Sequence, residues 1–554
     1  MPEPKLVQQR LHPTRLQKSF SITSEKYNDI ISKSSQISSG SPARYQLRTK
    51  TEEIGTLTRK TVGEQNLNKI NKTILLVGER GTGKSALINT LVNYAMGVEF
   101  DDDIWSEIVE EEKRSQCDSQ TSDVIVYEIF DFKENTLPYS LTIIDTPGYG
   151  DTRGIEHDDI VSHRLLDLFR SEEGVHEMNV VGLVLKASEN RLSGRLMYVF
   201  DSVVSLFGKN LENNIVTLIT HSDGVAPENA LKALDSADIK CAKNEKNHPV
   251  HFLFDNCQTP QRTKGNKAAL RNAWEITKGQ TGQFVNFLEK CGPQKLEKTV
   301  HVLNERIRMT ECIQKLQERI KLIEHKQTEI KQTREALKKH EHEMKKNKEF
   351  TVEVDEVYKE KETISGGMWW LFFNKGAVTC NVCEENCHYP CTMARGPEGC
   401  DIMKNGKCSA CKCPASDHVK EKEIYVNKTR KVEKTLQGMK DEYEENKAEG
   451  EKKSSLLENL EKEMRELTAE KTSLLEESYQ HVVRLEQIAL NVDSLTTQVH
   501  LDFLTEKMKE RGDTEKKQKL EEMRSRVDER TRAGLRYMLS KQAAAGKAGK
   551  EMMN

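Results

Sequence analysis

Long apolar runs are missing from this sequence: nowhere do about 18 consecutive apolar residues occur, which excludes a membrane-spanning helix. Aromatic residues are scarce as well, at 6% of 554 positions, while 31% are charged. A chain so poor in aromatics and so rich in both charges is expected to place much of its length in solvated helices attached to one ordinary domain. An excess of one charge sign is lacking too. With 85 basic groups against 88 acidic, the net −3 gives no global basic field, and no specific nucleic-acid partner is expected. The start, MPEPKLVQQR, has no apolar core for a secretory signal, and Pro2 stands where myristoylation needs glycine. The KEMMN end is not a prenylation box. These absences lead to the expectation of a cytoplasmic protein whose 13 cysteines stay reduced.

What is there falls into blocks. Residues 1–67 read as a disordered basic tail and lead-in, because residues 1–50 hold nine Lys/Arg, three Asp/Glu and nine serines. The tail's functional rival to a plain linker is peripheral contact with an acidic membrane surface. Residues 68–292 alternate short β-branched runs with helical stretches. The runs are TILLV (73–77), DVIVYEI (123–129), LTIID (141–145), VVGLVLK (180–186), IVTLIT (215–220) and VHFLF (250–254). That alternation predicts an α/β domain with a mostly parallel sheet. The span 123–145 has no room for a helix, so its two strands are expected to form one antiparallel hairpin.

Residues 293–349 carry a heptad pattern through Ile313, Leu316, Ile320, Ile323, Gln327, Ile330, Arg334 and Leu337. The pattern returns at Leu457, Leu460, Met464, Leu467, Lys471 and Leu474, within returning helices over 427–510. FTVEV (350–354) and EIYV (423–426) bound a cysteine-rich insert, so residues 350–426 read as a small β collar with a knob. The expected picture is a long antiparallel helical coiled-coil hairpin with that knob at its tip. Residues 482–508 show a broader apolar face, suited to packing on a domain, and a terminal helix and tail fill 511–554.

The chemistry begins after the first buried strand. Gly78-Glu79-Arg80-Gly81-Thr82-Gly83-Lys84-Ser85, with Ala86 next, has the P-loop spacing between a strand and a helix. Its glycines let backbone N–H groups wrap phosphates, Lys84 reaches the β and γ phosphates, and Ser85 ligates magnesium. Asp145, ending a strand ahead of Thr146-Pro147-Gly148, is placed to hold the same magnesium, and Gly148 to offer its amide to the γ-phosphate. Thr121 is the expected switch residue on magnesium, with Ser119 and Ser122 as rivals. Thr220-His221-Ser222-Asp223 follows IVTLIT. The Asp223 carboxylate can accept N1–H and N2–H of guanine, a donor pair that adenine lacks. Its bland alternative is a turn or a helix cap before Gly224. Asn256, after VHFLF, is expected on the other side of the base. Arg80 either lends charge to the γ-phosphate or faces solvent.

In order and spacing these motifs resemble the septin-type branch of GTPases, which includes septins, immunity-associated GTPases and chloroplast import receptors. DTPGYGD (145–151) is similar to septins, and THSD resembles the Thr-His variant of the branch. The whole architecture also resembles a fish family that joins such a G domain to a cysteine-bearing helical tail. The resemblance implies a P-loop GTPase fold, GTP or GDP with Mg2+, and pairing of G domains. Tyr149-Gly150-Asp151 offers no counterpart to the water-orienting Gln of many small GTPases, so hydrolysis is expected to be slow or to need a partner.

Eight cysteines fall within 34 residues: Cys380, Cys383, Cys387, Cys391, Cys400, Cys408, Cys411 and Cys413, with His388 and His418 nearby. CNVC and CSAC have the spacing that lets two thiolates share a tetrahedral zinc, and the insert is too poor in apolar residues to fold on a core alone. Eight cysteines and His418 are thus zinc candidates, and two ions fit the count. The ligand series lacks the regular cross-brace of a ubiquitin ligase. MWWLFF (368–373) is expected to pack on the knob, with a partner or membrane contact as its rival. The reading is a cytoplasmic GTP-binding protein, a slow GTPase whose GTP state controls self-association. It would form a homodimer or oligomer through the G domain, the coiled coil or both, and meet protein partners through the knob. The rival reading is an interaction scaffold with structurally bound GTP.

Overall fold

The computed structural model describes residues 26–526 except 55–56, 67, 111–122, 131–136, 149–154, 190–193, 237–238, 345–350, 365–375, 392–395, 401, 436–455 and 493–494. In chain order the first strands are β1 (Ser35–Ser38), β2 (Ala43–Gln46), β3 (Lys50–Ile54), β4 (Leu57–Val62), β5 (Asn71–Gly78) and β6 (Ile104–Glu107). They are followed by β7 (Ile125–Ile129), β8 (Ser140–Asp145), β9 (Val180–Lys186), β10 (Ile215–Thr220) and β11 (His251–Leu253). Eight of these make the central sheet, in the order β11-β10-β9-β5-β8-β7-β4-β3. Strands β11, β10, β9, β5 and β8 run parallel, and β7 pairs antiparallel with β8, as the helix-free span predicts. β5 is buried along its length except at Asn71, because helices cover both faces of the sheet.

The covering helices are α1 (Lys84–Ala95), α2 (Ile155–Arg170), α3 (Gly194–Val204), α4 (Glu228–Ser236) and α5 (Lys267–Lys290). Residues of α2, α3 and α4 join one apolar cluster, and those of α1 and α5 the opposite one. The domain is therefore doubly wound, and loops at the carboxyl ends of β5, β8, β10 and β11 meet at one edge, where such folds place ligands.

Residues 26–66 do not form the tail that composition predicts. β3 and β4 add a second antiparallel hairpin to the sheet, with β4 parallel to β7. β2 pairs with β1 and with β6. Tyr27 is buried, and its hydroxyl donates to the Gly97 carbonyl at 2.8 Å. Charge hid these strands: in β4 only the ends, Leu57 and Val62, are buried, with Thr-Arg-Lys-Thr between them half-exposed. Arg44 of β2 is matched by buried Glu107 at 2.6 Å, so a basic residue read as solvated completes an ion pair.

After the domain come α6 (Glu297–Met344), α7 (Leu456–Ile488), α8 (Leu495–Arg511) and α9 (Thr514–Ser525). α6 and α7 form the antiparallel hairpin. Arg319–Glu470, Lys326–Glu463 and Arg334–Glu461 pair in antiparallel order, and Ile313, Leu316, Ile323 and Ile330 are buried. Polar Arg334 in the heptad thus has a partner across the helices. At the base, α8 and α9 bury Leu501, Leu504, Met508 and Leu520 against Val302, Met309 and Ile313, fitting the broad apolar face read over 482–508.

The collar is longer than expected, and the knob is not at the tip. β12 (Thr351–Thr363) and β16 (Glu423–Thr435) form a two-stranded ribbon, paired from Thr351↔Thr435 to Thr363↔Glu423. Thirteen residues at about 3.3 Å each cover about 43 Å. That equals about 29 helical residues, so a ribbon doubling back from Met344 returns the chain beside residue ~315 of α6. The contacts agree. Gln332 donates to Asp355 at 2.8 Å, and Arg319 meets Glu385 at 3.1 Å. The knob strands β13 (Gly376–Cys380), β14 (Glu385–Cys391) and β15 (His418–Glu421) therefore lie against the lower half of α6. Thr121, Cys117, Tyr149–Asp151, the MWWLFF run, residues 1–25 and residues 527–554 lie outside the described residues.

One side chain ties helices to domain. Arg306 donates to the Ser205 carbonyl at 2.9 Å, to Thr497 Oγ1 at 2.8 Å and to the Asn491 carbonyl at 3.0 Å. Arg306→Ala strips three half-buried acceptors of a charged donor and should cost about 2–4 kcal/mol of stability. The check is the urea midpoint of the unfolding phase of the full chain; an unchanged midpoint would show that the joint rests on apolar packing alone.

Candidate functional site

β5 delivers the chain into the loop 79–83, and α1 carries it away. Gly83 caps α1 with φ 88°, a left-handed conformation that lets the loop turn its amides inward at the helix N-terminus. Lys84, only 8% exposed, curls over this loop, and its ammonium donates to the carbonyls of Gly78 (3.0 Å) and Glu79 (3.1 Å). Burial lowers its pKa, while the carboxylates of Asp145 and Glu79 push the other way. Thr82 Oγ1 donates to the Glu79 carbonyl at 2.9 Å.

Neighbouring strands brace this loop. Asp145, fully buried at the end of β8, lies close enough for its carboxylate to act on Lys84. Thr146 Oγ1 donates to the Leu76 carbonyl at 2.9 Å. From β10, Thr220 Oγ1 donates to the Thr82 carbonyl at 2.6 Å, fastening the two loops together. His221 follows at φ 53°; burial and the Lys186 ammonium hold it below the usual imidazole range, while Asp255 acts the other way.

Together these loops enclose a cavity of about 370 Å³ lined by Arg80, Gly81, Thr82, Gly83, Lys84, Ser85, Ala86, Thr146, Gly148, Thr220, His221, Asp255, Asn256 and Cys257. Nearly the whole predicted phosphate set is thus brought together, and Arg80 belongs to the cavity wall. Gly78 lies behind the wall and contributes its carbonyl to Lys84. Asn256 lines the cavity: Thr90 donates to its Oδ1 at 3.0 Å, and its buried Nδ2 has no partner among the described residues. Asp223 does not line the cavity. Its carboxylate accepts the Val225 N–H at 2.9 Å, the turn arrangement that the sequence offers as its bland alternative. Sequence reasoning did not place Asp255 or Cys257 at the site, although Asp255 directly follows the VHFLF run.

The knob is equally dense. Sγ atoms of Cys380, Cys383, Cys411 and Cys413 cluster, and Cys387, Cys408, Cys411 and His418 form a second group, with all ligand atoms of each group within 4.8 Å of one another. Cys411 belongs to both. His418 Nε2 is 3.4 Å from Cys387 Sγ and 3.2 Å from Cys411 Sγ. Its Nδ1 meets the Pro414 carbonyl at 2.8 Å, which fixes the tautomer with Nε2 free of a proton and aimed at the thiols. The Cys408 sulfur accepts N–H from Ala410 and Cys411, as metal-bound thiolates do. None of the eight knob cysteines forms a disulfide among the described residues.

The sheet order, the strand-loop-helix cradle and the buried Lys84 define a P-loop nucleotide-binding fold. Residues 68–163 match the Septin family. Septin-5 of Mus musculus is 27% identical over 183 residues, covering 29% of this chain and 43% of that protein; Septin-5 of Homo sapiens is 27% identical over 180 residues, covering 29% and 42%. The chain thus spans less than half the length of these curated relatives. Toc33 from Arabidopsis thaliana, solved in complex with GDP and Mg2+, aligns at a TM-score of 0.28 and 15% identity over 40% of this chain and 85% of its own. The same protein with Mg2+ and GMPPNP aligns at 0.28 and 14% over the same shares. The chain carries a septin-type P-loop GTPase domain.

Gly148 shows how tightly the cradle is closed. A Cβ there would lie 2.7 Å from the Arg80 nitrogen and 2.8 Å from its Cα, and backbone cannot swing away as a side-chain tip can. Gly148→Ala should displace the loop and weaken fluorescent GTP-analogue binding by about tenfold, roughly 1.4 kcal/mol. Equal affinity in equilibrium titrations of variant and parent would contradict the close approach.

Proposed function

We propose that this protein binds GTP with Mg2+, hydrolyses it slowly, and self-associates in the GTP state. The observation that carries the reading is the buried Lys84 side chain, held on loop carbonyls in a cavity walled by the loop residues 80–86, where a triphosphate is its natural counter-charge. The donor set fits the ligand. Amides of 81–86 face the phosphates, Ser85 and Asp145 hold the magnesium, and Asn256 Nδ2 offers a donor to the base. A magnesium held there would supply charge neutralisation for the phosphates. Lys84 and Gly148 act on the γ-phosphate, and Thr121 closes over the magnesium. In this reading Asp223 leaves its turn to read guanine. Releasing one exposed contact costs about 1 kcal/mol, less than two charge-assisted bonds to N1–H and N2–H return.

The knob, in the same reading, is a zinc-bound element offering a surface to protein partners, with two ions in the two groups that share Cys411. Thiolate and imidazole donors of these separations suit zinc, and the bound metal supplies folding free energy that a small core of cysteines and few apolar residues lacks. The protein acts in the cytoplasm, where such thiols stay reduced.

GTP should compete for the site at least about tenfold better than ATP. Asp223→Ala should erase most of that preference, a loss of about 2 kcal/mol, and Lys84→Ala should weaken both nucleotides. Competition titrations decide this: equal competition by ATP and GTP for the parent protein removes the guanine assignment.

Self-association is read on the full chain by light scattering with GDP and with a non-hydrolysable GTP analogue. A larger species with the analogue alone, absent in Lys84→Ala, with turnover per molecule rising with concentration, is the expected outcome. A single size in both states with concentration-independent turnover would favour the scaffold reading, in which stalk and knob act and GTP is structural.

A further inference from the structure

The two groups that share Cys411 leave two knob cysteines unused, Cys391 and Cys400, and these lie together on the side of the knob that faces α6. Cys391 is fully buried, Cys400 is 4% exposed, and His388 beside them is 7% exposed. Their ligand atoms form a group of their own, all within 4.8 Å, with no member in common with the other two groups. We propose that His388, Cys391 and Cys400 form a third zinc site, and that Glu311 of the stalk helix orients its histidine, so that this site lies at the joint between knob and stalk. The proposal rests on the reading of the knob as a zinc element and extends it.

The distances carry the assignment. Two thiolates bound at about 2.3 Å to one tetrahedral zinc lie about 3.8 Å apart. Cys391 Sγ and Cys400 Sγ are 3.8 Å apart. His388 Nδ1 lies 2.9 Å from Cys400 Sγ, so ring and thiolate need only spread by about 0.6 Å to place both on a metal. The other ring nitrogen settles the tautomer. Nε2 is 3.1 Å from Glu311 Oε1, so the ring proton sits on Nε2 and is donated to the carboxylate, leaving the Nδ1 lone pair for the ion. A carboxylate that holds a histidine by its far nitrogen is the usual support of a zinc ligand, and its loss typically weakens the metal about 10- to 100-fold.

The support comes from another element. Glu311 belongs to α6, whereas the three ligands belong to β14 and the loop after it. Glu311 is also within electrostatic reach of His163 on α2, the helix that follows the Asp145–Gly148 loop. The metal therefore binds where knob, stalk and G domain converge, and the ribbon's return down α6 is what brings its ligands there. Among the described residues no fourth His, Cys, Asp or Glu joins the three, which gives zinc three protein ligands and a position for water or an outside donor. Soft thiolates with an imidazole select zinc over magnesium or calcium.

The test is metal content of the full chain, purified without chelator, by inductively coupled plasma mass spectrometry against amino-acid analysis. The parent should carry about three zinc ions per chain and His388→Ala about two, a loss of one. Glu311→Gln, which keeps shape and hydrogen bonding, should still load three. It should then give up one of them to a chromophoric chelator at an affinity about tenfold weaker or more, with the other two unchanged. Two ions in the parent, unchanged in His388→Ala, overturn the third site and leave the two-site knob standing. Three ions that persist in His388→Ala overturn the ligand assignment. No zinc in the parent removes the zinc reading of the knob altogether. If His388→Ala is insoluble, the Glu311→Gln titration decides alone, and equal affinity of all three ions overturns the proposal.

Discussion

A lysine ammonium buried at the end of the central strand is the constraint from which the nucleotide half of this protein follows. Taking that charge out of water is costly unless dipoles and an opposite charge answer it. The carbonyls of Gly78 and Glu79 hold Lys84 in place, and the Asp145 carboxylate balances part of its charge. Each answer demands a neighbour. Asp145 requires β8 beside β5, the loop carbonyls require the left-handed turn at Gly83, and the Thr220 bond to Thr82 requires β10 two strands away. The sheet order is in this sense the arrangement that surrounds one buried lysine with its carbonyl and carboxylate partners.

The second half depends on one stretch of helix. The start of α6 packs Leu303 and Ile307 on the G domain and turns Met309, Ile313 and Leu316 to the partner helices. Its remaining face carries Glu311 and Arg319, which reach His388 and Glu385 of the knob. A helix engaged on three sides over so few residues is a rigid joint. α2, which follows the Asp145–Gly148 loop, packs on α6, and its His163 lies within electrostatic reach of Glu311.

Legibility in the sequence followed the strength of local patterns. The P-loop, the Asp145 and Thr220 strand ends, the 123–145 hairpin and the heptads were readable because apolar periodicity and glycine spacing repeat within a few residues. β1 to β4 were not, since Thr-Arg-Lys-Thr in β4 alternates no apolar residues and its basic side chains find their carboxylates elsewhere in the chain. Arg59 pairs with Glu128 on β7, and Arg44 of β2 with Glu107 on β6. The knob's cysteines and His418 were legible as residue types, but their division into groups was not, because Cys411 belongs to two groups whose members come from distant points of the insert. Its position was lost for a geometric reason: FTVEV and EIYV show only the start of a ribbon whose 13 pairs bring it back down the stalk. Asp223 was legible both as a carboxylate after β10 and as a turn residue before Gly224, and the choice between the two is a side-chain rotation, which here makes the turn bond to Val225.

The account's central claim is that the Lys84 cradle is a guanine-nucleotide site. The most direct measurement is the nucleotide released on denaturing protein purified in the presence of magnesium, separated by chromatography and counted per chain. The account predicts GDP or GTP at about one per chain in the parent and little in Lys84→Ala. Adenine nucleotide in its place, or a parent that stays empty after incubation with saturating GTP and magnesium, would contradict it.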